Sequence, residues 1–260
     1  ITDETWNTVP WGANFTQFLP NEGGKPTQET KVKLLYDEKH LYLAVRCYDS
    51  EPDKIVNRLS RRDGLEGDWI EINIDSYRDL RTAFAFTVTA AGVKGEEFAS
   101  LDGKSWDKSW NPIWYVKTKI DSEGWTAEFK IPFSQIRFTD IEEQIWGMQI
   151  QRMDFRLQER SLWQRLPRTV SGWISNMGEL HGIKNLKPQK QIEIQPYTVG
   201  QTETFEKEVG NPFATGKRSS LNFGIDGKVG VTNNLTLDFR WFSDFSRRAT
   251  SVFCRKQKYF

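Results

Sequence analysis

The stretch Trp69-Ile70-Glu71-Ile72-Asn73-Ile74 alternates polar or aromatic residues with isoleucine at every position. Successive side chains of a β-strand point to opposite faces. The three isoleucines therefore lie on one face, and Trp69, Glu71 and Asn73 lie on the other. Isoleucine is β-branched and favours strands over helices. The stretch predicts a strand that buries one apolar face.

Short strand-like runs of this kind recur through the first part of the chain, with turn residues between them. They span Lys31–Tyr36, Leu41–Tyr48, Thr82–Thr89, Trp114–Ile120, Trp125–Ile131, Trp146–Arg152 and Ser161–Arg165. No stretch up to residue 190 carries the 3.6-residue period of a long helix, and only Pro132–Phe138 suggests a short helical or 3-10 turn. The pattern predicts an all-β fold, an antiparallel β-sandwich of jelly-roll or immunoglobulin-like type.

The composition excludes several classes of function. With 36 basic and 35 acidic residues the formal net charge is +1, so we expect no nucleic-acid partner. The two cysteines, Cys47 and Cys254, form no disulfide framework, and neither His40 nor His181 has a second histidine or cysteine at ligand spacing. No apolar run of 18 residues, the minimum for a helical membrane span, occurs.

The last part of the chain has a different pattern. Leu221–Val231 alternates almost without interruption, and Leu235–Trp241 alternates after a turn. Alternating strands of about ten residues that end in aromatics are typical of transmembrane β-barrels. An amphipathic hairpin in a soluble sheet fits the same pattern. We predict a β-sandwich over residues 1–187 and a fragment of β-barrel strands over 188–260, with an irregular tail over 246–260.

Motifs of common enzymes are absent from the sequence: it has no G-x-S-x-G turn, H-E-x-x-H helix, Walker loop or G-x-G-x-x-G turn. Glycoside hydrolysis needs only two carboxylates and stays open. The loop Asp63–Asp68 could hold calcium through Asp63 and Asp68, but its spacing fits no EF-hand and favours a polar turn. Trp106, Trp110 and Trp114 suit either core packing or sugar stacking.

Several segments, in the right order, resemble the family 9 carbohydrate-binding module, a DOMON-type domain. They are Asp3–Trp6, Val32–Asp37, Leu41–Leu43, Asp68–Asp75, Gly124–Glu128 with Ile131–Phe133, and Met177–Leu180. Arg61–Asp63, Pro132–Phe138 and Pro196–Tyr197 resemble a bacterial envelope protein family (DUF5916-like), in which such a module precedes an outer-membrane β-barrel. The resemblance implies a sandwich over residues 1 to about 186 and a location in the outer membrane, in the periplasm or at the cell surface.

The resemblance also implies a sugar site with two stacking tryptophans and several polar side chains. Asp49, Glu71 and Gln151 match polar positions of that site, and Trp173 lies close to one stacking position. The other stacking position is Leu65, with Trp69 nearby, while Thr87 and Thr89 replace an arginine and an asparagine. With Arg46 as a further hydrogen-bond donor, the candidate ligand-binding residues are Arg46, Asp49, Trp69, Glu71, Gln151 and Trp173.

These observations predict a non-catalytic module that binds a saccharide, within a larger secreted or outer-membrane protein linked to carbohydrate catabolism. We expect no catalytic residue and no cofactor, with calcium left open, and contact with the outer membrane through the barrel. Two alternatives remain: a hydrolase acting on O-glycosyl compounds, and a structural plug domain of a barrel that binds no sugar.

Overall fold

The computed structural model describes residues 3–207, 209–210, 215–232, 235–244 and 249–258. The chain divides into two compact units, Ile1–Gln189 and Lys190–Phe260. The described residues contain no α-helix; short 3-10 helices span Glu4–Thr8, Pro52–Lys54 and Ile174–Asn176. None of the described helices has the length and apolar character to cross a membrane.

The first unit contains twelve strands in two antiparallel sheets. The strands are β1 (Thr16–Leu19), β2 (Thr30–Tyr36), β3 (His40–Tyr48), β4 (Trp69–Asp75), β5 (Ala83–Thr89), β6 (Lys94–Ser100), β7 (Ser105–Asp107), β8 (Tyr115–Asp121), β9 (Gly124–Pro132), β10 (Glu143–Asp154), β11 (Glu159–Leu162) and β12 (Gly178–Lys184). The larger sheet has the order β1-β11-β10-β4-β5-β6-β7, and β12 also pairs with β10. The smaller sheet has the order β2-β3-β9-β8. The predicted antiparallel β-sandwich is confirmed.

The core lies between these two sheets and includes the isoleucine face of Trp69–Ile74. Ile70, Ile72 and Ile74 of β4 are fully buried in one cluster with side chains of the smaller sheet, such as Leu43 and Phe129. Each buried isoleucine stabilises the fold by about 1.5–3 kcal/mol. The other face of β4 carries Glu71 and Asn73, which are also buried. Burial of polar groups on that face requires partners for them.

The sequence allowed Trp106, Trp110 and Trp114 either to pack in the core or to stack on a sugar. In the structure they mainly pack against other apolar side chains. Trp114 is buried and stacks on Phe129, with ring centroids 5.6 Å apart and planes 7° from parallel. Trp110 packs on Phe84 and Phe86. Trp106 lies in β7 and packs against a smaller buried cluster. Trp173 packs against the same smaller cluster as Trp106.

Some elements differ from the sequence prediction. The strands β1, β6, β7 and β12 were not predicted, because their short polar sequences lack apolar alternation. They form because their backbone groups pair with neighbouring strands, a requirement that does not depend on side-chain pattern. Pro132–Phe138 contains two successive bonds of the 3-10 type, from Gln135 N–H to the Pro132 carbonyl (2.9 Å) and from Ile136 N–H to the Phe133 carbonyl (3.3 Å).

Cys47 is a core residue, and the two histidines each lie beside a carboxylate. Cys47 is buried in the core, and burial raises the pKa of its thiol to about 11. His40 lies 3.5 Å from Asp37, and His181 lies 2.9 Å from Glu179. The side chain of Cys254 lies outside the described residues.

The second unit is one antiparallel sheet of four strands in sequence order, β13 (Ile192–Thr204), β14 (Lys217–Thr232), β15 (Leu235–Asp244) and β16 (Ala249–Lys258). The predicted alternation is present in β14, since Leu221, Phe223, Ile225 and Val231 are exposed while Val229 is half-buried. The irregular tail predicted over 246–260 is wrong for 249–258. That segment has no apolar pattern, but its backbone pairs with β15 along its whole length.

Candidate functional site

The candidate site lies on the face of the larger sheet that points away from the core. Glu71 of β4 stands directly opposite Gln151 of β10 on one side and Thr87 of β5 on the other. Residues directly opposite in antiparallel strands share a face and have Cβ atoms about 4.5–5.5 Å apart. Asn73 follows on the same face because side chains alternate along β4. Strand pairing therefore brings four polar side chains together.

Glu71 is the centre of a hydrogen-bond network. Its carboxylate accepts from Asn73 Nδ2 (2.7 Å), from Thr87 Oγ1 (2.8 Å) and from Gln151 Nε2. All four side chains are buried. A buried carboxylate is expensive unless donors compensate it, and three donors do so here. The network fixes the orientation of every member.

Trp173 is held at the edge of this network. Its indole Nε1–H donates to Asn73 Oδ1 at 2.7 Å, and its backbone N–H donates to the Asp102 carbonyl at 3.1 Å. Gly103 has φ +81°, and a Cβ there would lie 2.6 Å from the Trp173 Cβ. Only glycine allows this close approach and this backbone conformation without strain. The indole position is therefore set by both a side chain and a turn.

The carboxylate of Asp102 anchors the same segment. It accepts from the backbone N–H groups of Ile174 (2.8 Å) and Ser175 (2.9 Å) and from Ser175 Oγ (2.7 Å). Burial opposes ionisation, but the bonds from Ser175 and Ile174 outweigh it and hold the pKa of Asp102 below its usual value. The turn that presents Trp173 is thus tied to the end of β6.

Arg160 and Phe18 complete the surroundings of Trp173. The Arg160 guanidinium lies 5.3 Å from the Trp173 ring centroid and 5.5 Å from that of Phe18, and its Nε donates to Gln151 Oε1 at 2.5 Å. Phe18 meets Trp173 edge to face, with centroids 6.4 Å apart. Desolvation lowers the pKa of Arg160, with Glu71 opposing this, yet a guanidinium remains charged near neutral pH. We call the surface formed by Glu71, Asn73, Thr87, Gln151, Arg160 and Trp173 the polar face.

Of the candidate ligand-binding residues, the structure brings Glu71, Gln151 and Trp173 together. Trp69 precedes Glu71 by two positions on the same side of β4, opposite Thr89. Thr89 accepts from the Val93 N–H at 3.0 Å and so closes the turn after β5. Leu65 packs on Gly95 of β6, which stands opposite Thr87.

Arg46 and Asp49 do not join the polar face. Both come from the β3 region of the smaller sheet. Arg46 binds Asp121 through two hydrogen bonds of 2.6 and 2.7 Å and also contacts Glu123. Asp49 pairs with Arg156 at 2.9 Å. That these two side chains bind the ligand stays a prediction; in this structure their hydrogen-bond partners lie outside the polar face.

The two calcium candidates also separate. Asp63 Oδ1 accepts from the Glu96 N–H at 3.2 Å, whereas Asp68 lies with Asp49 and Asp154. Within the described part of the chain, that trio is the group of acidic residues close enough to share a metal ion. We call it the aspartate cluster.

Sequence reasoning missed Asn73, Arg160, Phe18 and Asp102 as contributors to the site. Asn73 could have been predicted, because it lies two positions after Glu71 and therefore shares one face of the Trp69–Ile74 strand with it. Nothing in the local sequence distinguishes Arg160, Phe18 or Asp102 from other surface residues.

Known proteins share this fold. The sequence model of the family described as "Carbohydrate family 9 binding domain-like" matches residues 1–165, which include Glu71 and Gln151 and end before Trp173. The fold resembles a carbohydrate-binding module of family 9 from Caldicellulosiruptor kristjanssonii in complex with glucose, with 20% identity and a TM-score of 0.52 over 73% of this chain and 90% of that one.

A second similar structure is a protein from Bacteroides uniformis proposed to bind carbohydrate. It has 12% identity and a TM-score of 0.55, and the match covers 68% of this chain and 88% of that chain. No curated protein matches the chain. At these identities the two structures show the shared fold, and the site must be judged on its own geometry.

Proposed function

The chain belongs to the carbohydrate family 9 binding domain-like family, and we propose that its first unit is a non-catalytic module that binds a saccharide on the polar face. The similar structure from Caldicellulosiruptor kristjanssonii holds glucose, which supports a saccharide as the ligand class here. The observation that carries the proposal is the indole of Trp173 fixed beside the Glu71 network.

The chemistry of a sugar fits this arrangement. A sugar ring has many hydroxyl groups and two weakly apolar faces, so its site needs a flat aromatic surface and a few fixed polar groups. Trp173 supplies the aromatic surface. Glu71 and Gln151 supply acceptor and donor groups whose orientation is already set, and Arg160 supplies guanidinium N–H donors beside the ring.

The affinity should be modest. The second stacking position is Leu65, which lacks a flat ring, and Thr87 is occupied as a donor to Glu71. One stacked ring contributes on the order of 1 kcal/mol beyond area burial. We expect a Kd in the micromolar to millimolar range, equivalent to about 4–8 kcal/mol.

Calorimetric titration of the full chain with neutral monosaccharides, their oligosaccharides and uronic acids tests the proposal. Trp173→Ala should weaken binding about five- to tenfold. Trp11→Ala is the matched control, because Trp11 is an exposed tryptophan outside the polar face. Absence of heat with every sugar at millimolar concentration, or equal binding by wild type and Trp173→Ala, would reject it in favour of a structural domain without a sugar.

One observation favours hydrolysis as a second candidate. Glu97 of β6 lies opposite Ala85 on the side of the sheet that carries Asn73, and burial followed by the charge of Glu71 raises its pKa. A carboxyl group with a raised pKa is the general acid that glycosidases need. Glu71, however, is already bonded to three donors, which leaves it poorly placed as a nucleophile. Release of nitrophenol from aryl glycosides, lost in Glu97→Gln, would establish the enzyme.

For the second unit we propose the start of an outer-membrane β-barrel in a longer envelope protein with a role in carbohydrate catabolism. The supporting feature is the exposed apolar stripe of β14, formed by Leu221, Phe223, Ile225 and Val231. Such a stripe suits a lipid environment and favours aggregation in water. Deleting residues 191–260 should therefore improve solubility and leave the melting of the sandwich unchanged; lower solubility would instead show that the sheet is a soluble partner of the first unit.

A further inference from the structure

Arg160 is a fixed positive charge on the polar face. It lies in β11, opposite Met153 of β10 on one side and Leu19 of β1 on the other. Its side chain is half-buried, and the guanidinium carbon lies 5.3 Å from the Trp173 ring centroid and 5.5 Å from that of Phe18. Guanidinium groups stack favourably on aromatic rings, and residues of paired strands are held precisely. The strand and the two rings therefore set the position of this charge.

The guanidinium uses only part of its hydrogen-bonding capacity within the protein. Its Nε donates to Gln151 Oε1 at 2.5 Å, whereas Nη1 and Nη2 have no hydrogen-bond partner among the described residues. No carboxylate in the described part of the chain forms an ion pair with Arg160 within 4.0 Å. Both Nη atoms keep some contact with solvent, so a ligand can reach them. A cation that is partly removed from water without a counter-ion is unfavourable, and an anionic ligand would relieve this cost.

The acidic side chains around the polar face have partners of their own. Both oxygens of Glu71 accept hydrogen bonds, and Glu71 acts on Arg160 through its charge without a direct bond. The carboxylate of Asp102 is occupied by the segment after Trp173. Glu97 pairs with Lys108 at 3.7 Å, and burial raises the pKa of Glu97 above its usual value. None of these carboxylates occupies the Nη donors of Arg160.

We propose that Arg160 selects saccharides that carry a carboxylate, so that the ligand of the polar face is a uronic acid or an oligosaccharide that contains one. This inference rests on the function proposed above. A carboxylate matches the planar fork of a guanidinium and accepts parallel N–H bonds from it. In a uronic acid the carboxylate is attached to the sugar ring itself. The ring can therefore lie against Trp173 while the carboxylate meets the guanidinium beside that indole.

A neutral sugar would use the same donors less well. A hydroxyl group can accept from a guanidinium but brings no charge, whereas a carboxylate also gains the attraction between opposite charges in a partly desolvated site. Glu71 and Gln151 are already oriented by their own hydrogen bonds, so they contribute to the binding of acidic and neutral sugars alike. Arg160 is therefore the side chain that distinguishes the two classes. Because the added attraction is electrostatic, the preference for the acid should decrease at high ionic strength.

The test is calorimetric titration of the full chain near neutral pH with glucuronic acid and galacturonic acid, each compared with its parent sugar and with its uncharged amide. The amide keeps the shape of the acid and removes the charge. We expect one of the acids to bind about tenfold more tightly than its two neutral counterparts.

Arg160→Met keeps an apolar stem beside Trp173 and should bind the acid and its neutral counterparts equally, with little change for the parent sugar. Arg160→Lys keeps the charge without the planar fork and should retain part of the preference. Arg58→Met removes the same charge from an exposed position of the loop before β4 and should behave as wild type.

Binding of both acids by the wild type no tighter than that of their parent sugars would overturn this inference and leave the proposed saccharide function intact. A full preference for the acid in folded Arg160→Met would also overturn it, because the carboxylate would then lie elsewhere. If Arg160→Met does not fold, the wild-type comparison and the Arg160→Gln variant decide by the same criteria. Absence of heat with every acidic and neutral sugar rejects the proposed function itself, and this inference with it.

Discussion

Buried carboxylates occur at two places in the first unit, at Glu71 and at the aspartate cluster, and their hydrogen bonding differs. Glu71 has three donors, and both of its oxygens accept hydrogen bonds. The aspartate cluster has three carboxylates, and each keeps one buried oxygen without a partner among the described residues. Burial is similar in the two places, so the difference lies in the donors that strand pairing provides.

The donors around each carboxylate indicate its role. A carboxylate that is satisfied within the protein is a fixed element of a surface, and it can meet a ligand without rearranging its neighbours. Carboxylates that are left unsatisfied together store unfavourable energy that an added cation can release. We therefore expect the two groups to respond oppositely when a single charge is removed.

The largest effect should come from Glu71→Leu. Removal of the acceptor leaves donors of Asn73, Thr87 and Gln151 buried and unpaired, which should lower the free energy of unfolding by about 3–5 kcal/mol. Urea denaturation of this variant and of Glu66→Leu, at an exposed position, measures the difference. A loss below about 1 kcal/mol would mean that the network is not important for stability.

A smaller effect, with a change of sign, should appear for Asp154→Asn. If the aspartate cluster holds Ca²⁺, the variant should be less stable than wild type by about 2–3 kcal/mol in saturating calcium, because the ion loses one of its ligands. In EDTA it should be equally or more stable, because one of three repelling charges is gone. Denaturation in both buffers tests this, with Asp53→Asn as control. A variant that is equally destabilised in both buffers contradicts the cation site.

Asn73→Ala should have an intermediate effect, on both stability and saccharide binding. Asn73 both donates to Glu71 and accepts from the Trp173 indole. Its removal should cost about 1–2 kcal/mol of stability and weaken saccharide binding severalfold, because the indole loses its fixed orientation. Calorimetry and urea denaturation give the two numbers, with Asn7→Ala as the exposed control. Unchanged saccharide affinity would show that Asn73 does not position Trp173.

The smallest effect on stability is expected for a substitution of Arg46, which was predicted to bind the ligand but does not belong to the polar face. Its hydrogen bonds lower the pKa of Asp121 from 3.8 to about 2. A depressed carboxyl pKa adds stability above about pH 4 and loses it as the pH falls towards 2. Arg46→Met should therefore cost at most about 1 kcal/mol at pH 5, because Asp121 is partly exposed, and clearly less at pH 2.

Unfolding measured from pH 2 to 6, with Lys117→Met as control, checks this dependence. The same Arg46→Met variant should bind saccharide as tightly as wild type, because Arg46 belongs to the smaller sheet. Weaker saccharide binding in a folded Arg46→Met variant would show that Arg46 contributes to the binding site.

Much of the fold could be predicted because alternation is a local property. The isoleucines of β4 and the alternating residues of β3 and β9 lie where their pattern placed them. Strands without alternation, such as β6 and β12, could not be predicted, because they exist through backbone pairing with neighbours. The strand over Ala249–Lys258 was missed for the same reason.

The candidate site could be predicted only in part. Glu71 and Gln151 were identified through resemblance, and the structure places them directly opposite each other. Arg160 and Phe18 carry no distinguishing pattern, and their approach to Trp173 depends on the pairing of β11 with β10 and β1. Arg46 and Asp49 lie apart from these residues, because their partners Asp121 and Arg156 come from other parts of the fold.

Residue type and spacing along a few positions were enough to identify the alternating strands, their two faces and the family. The tertiary structure alone decided which carboxylates meet. Asp49, Asp68 and Asp154 are distant in sequence, and only strand order and register bring their oxygens within 4.8 Å. Glu71 gains its donors in the same way, from strands on both sides. Electrostatic energy depends on distance in space, and for these groups that distance is fixed by the packing of the whole sandwich.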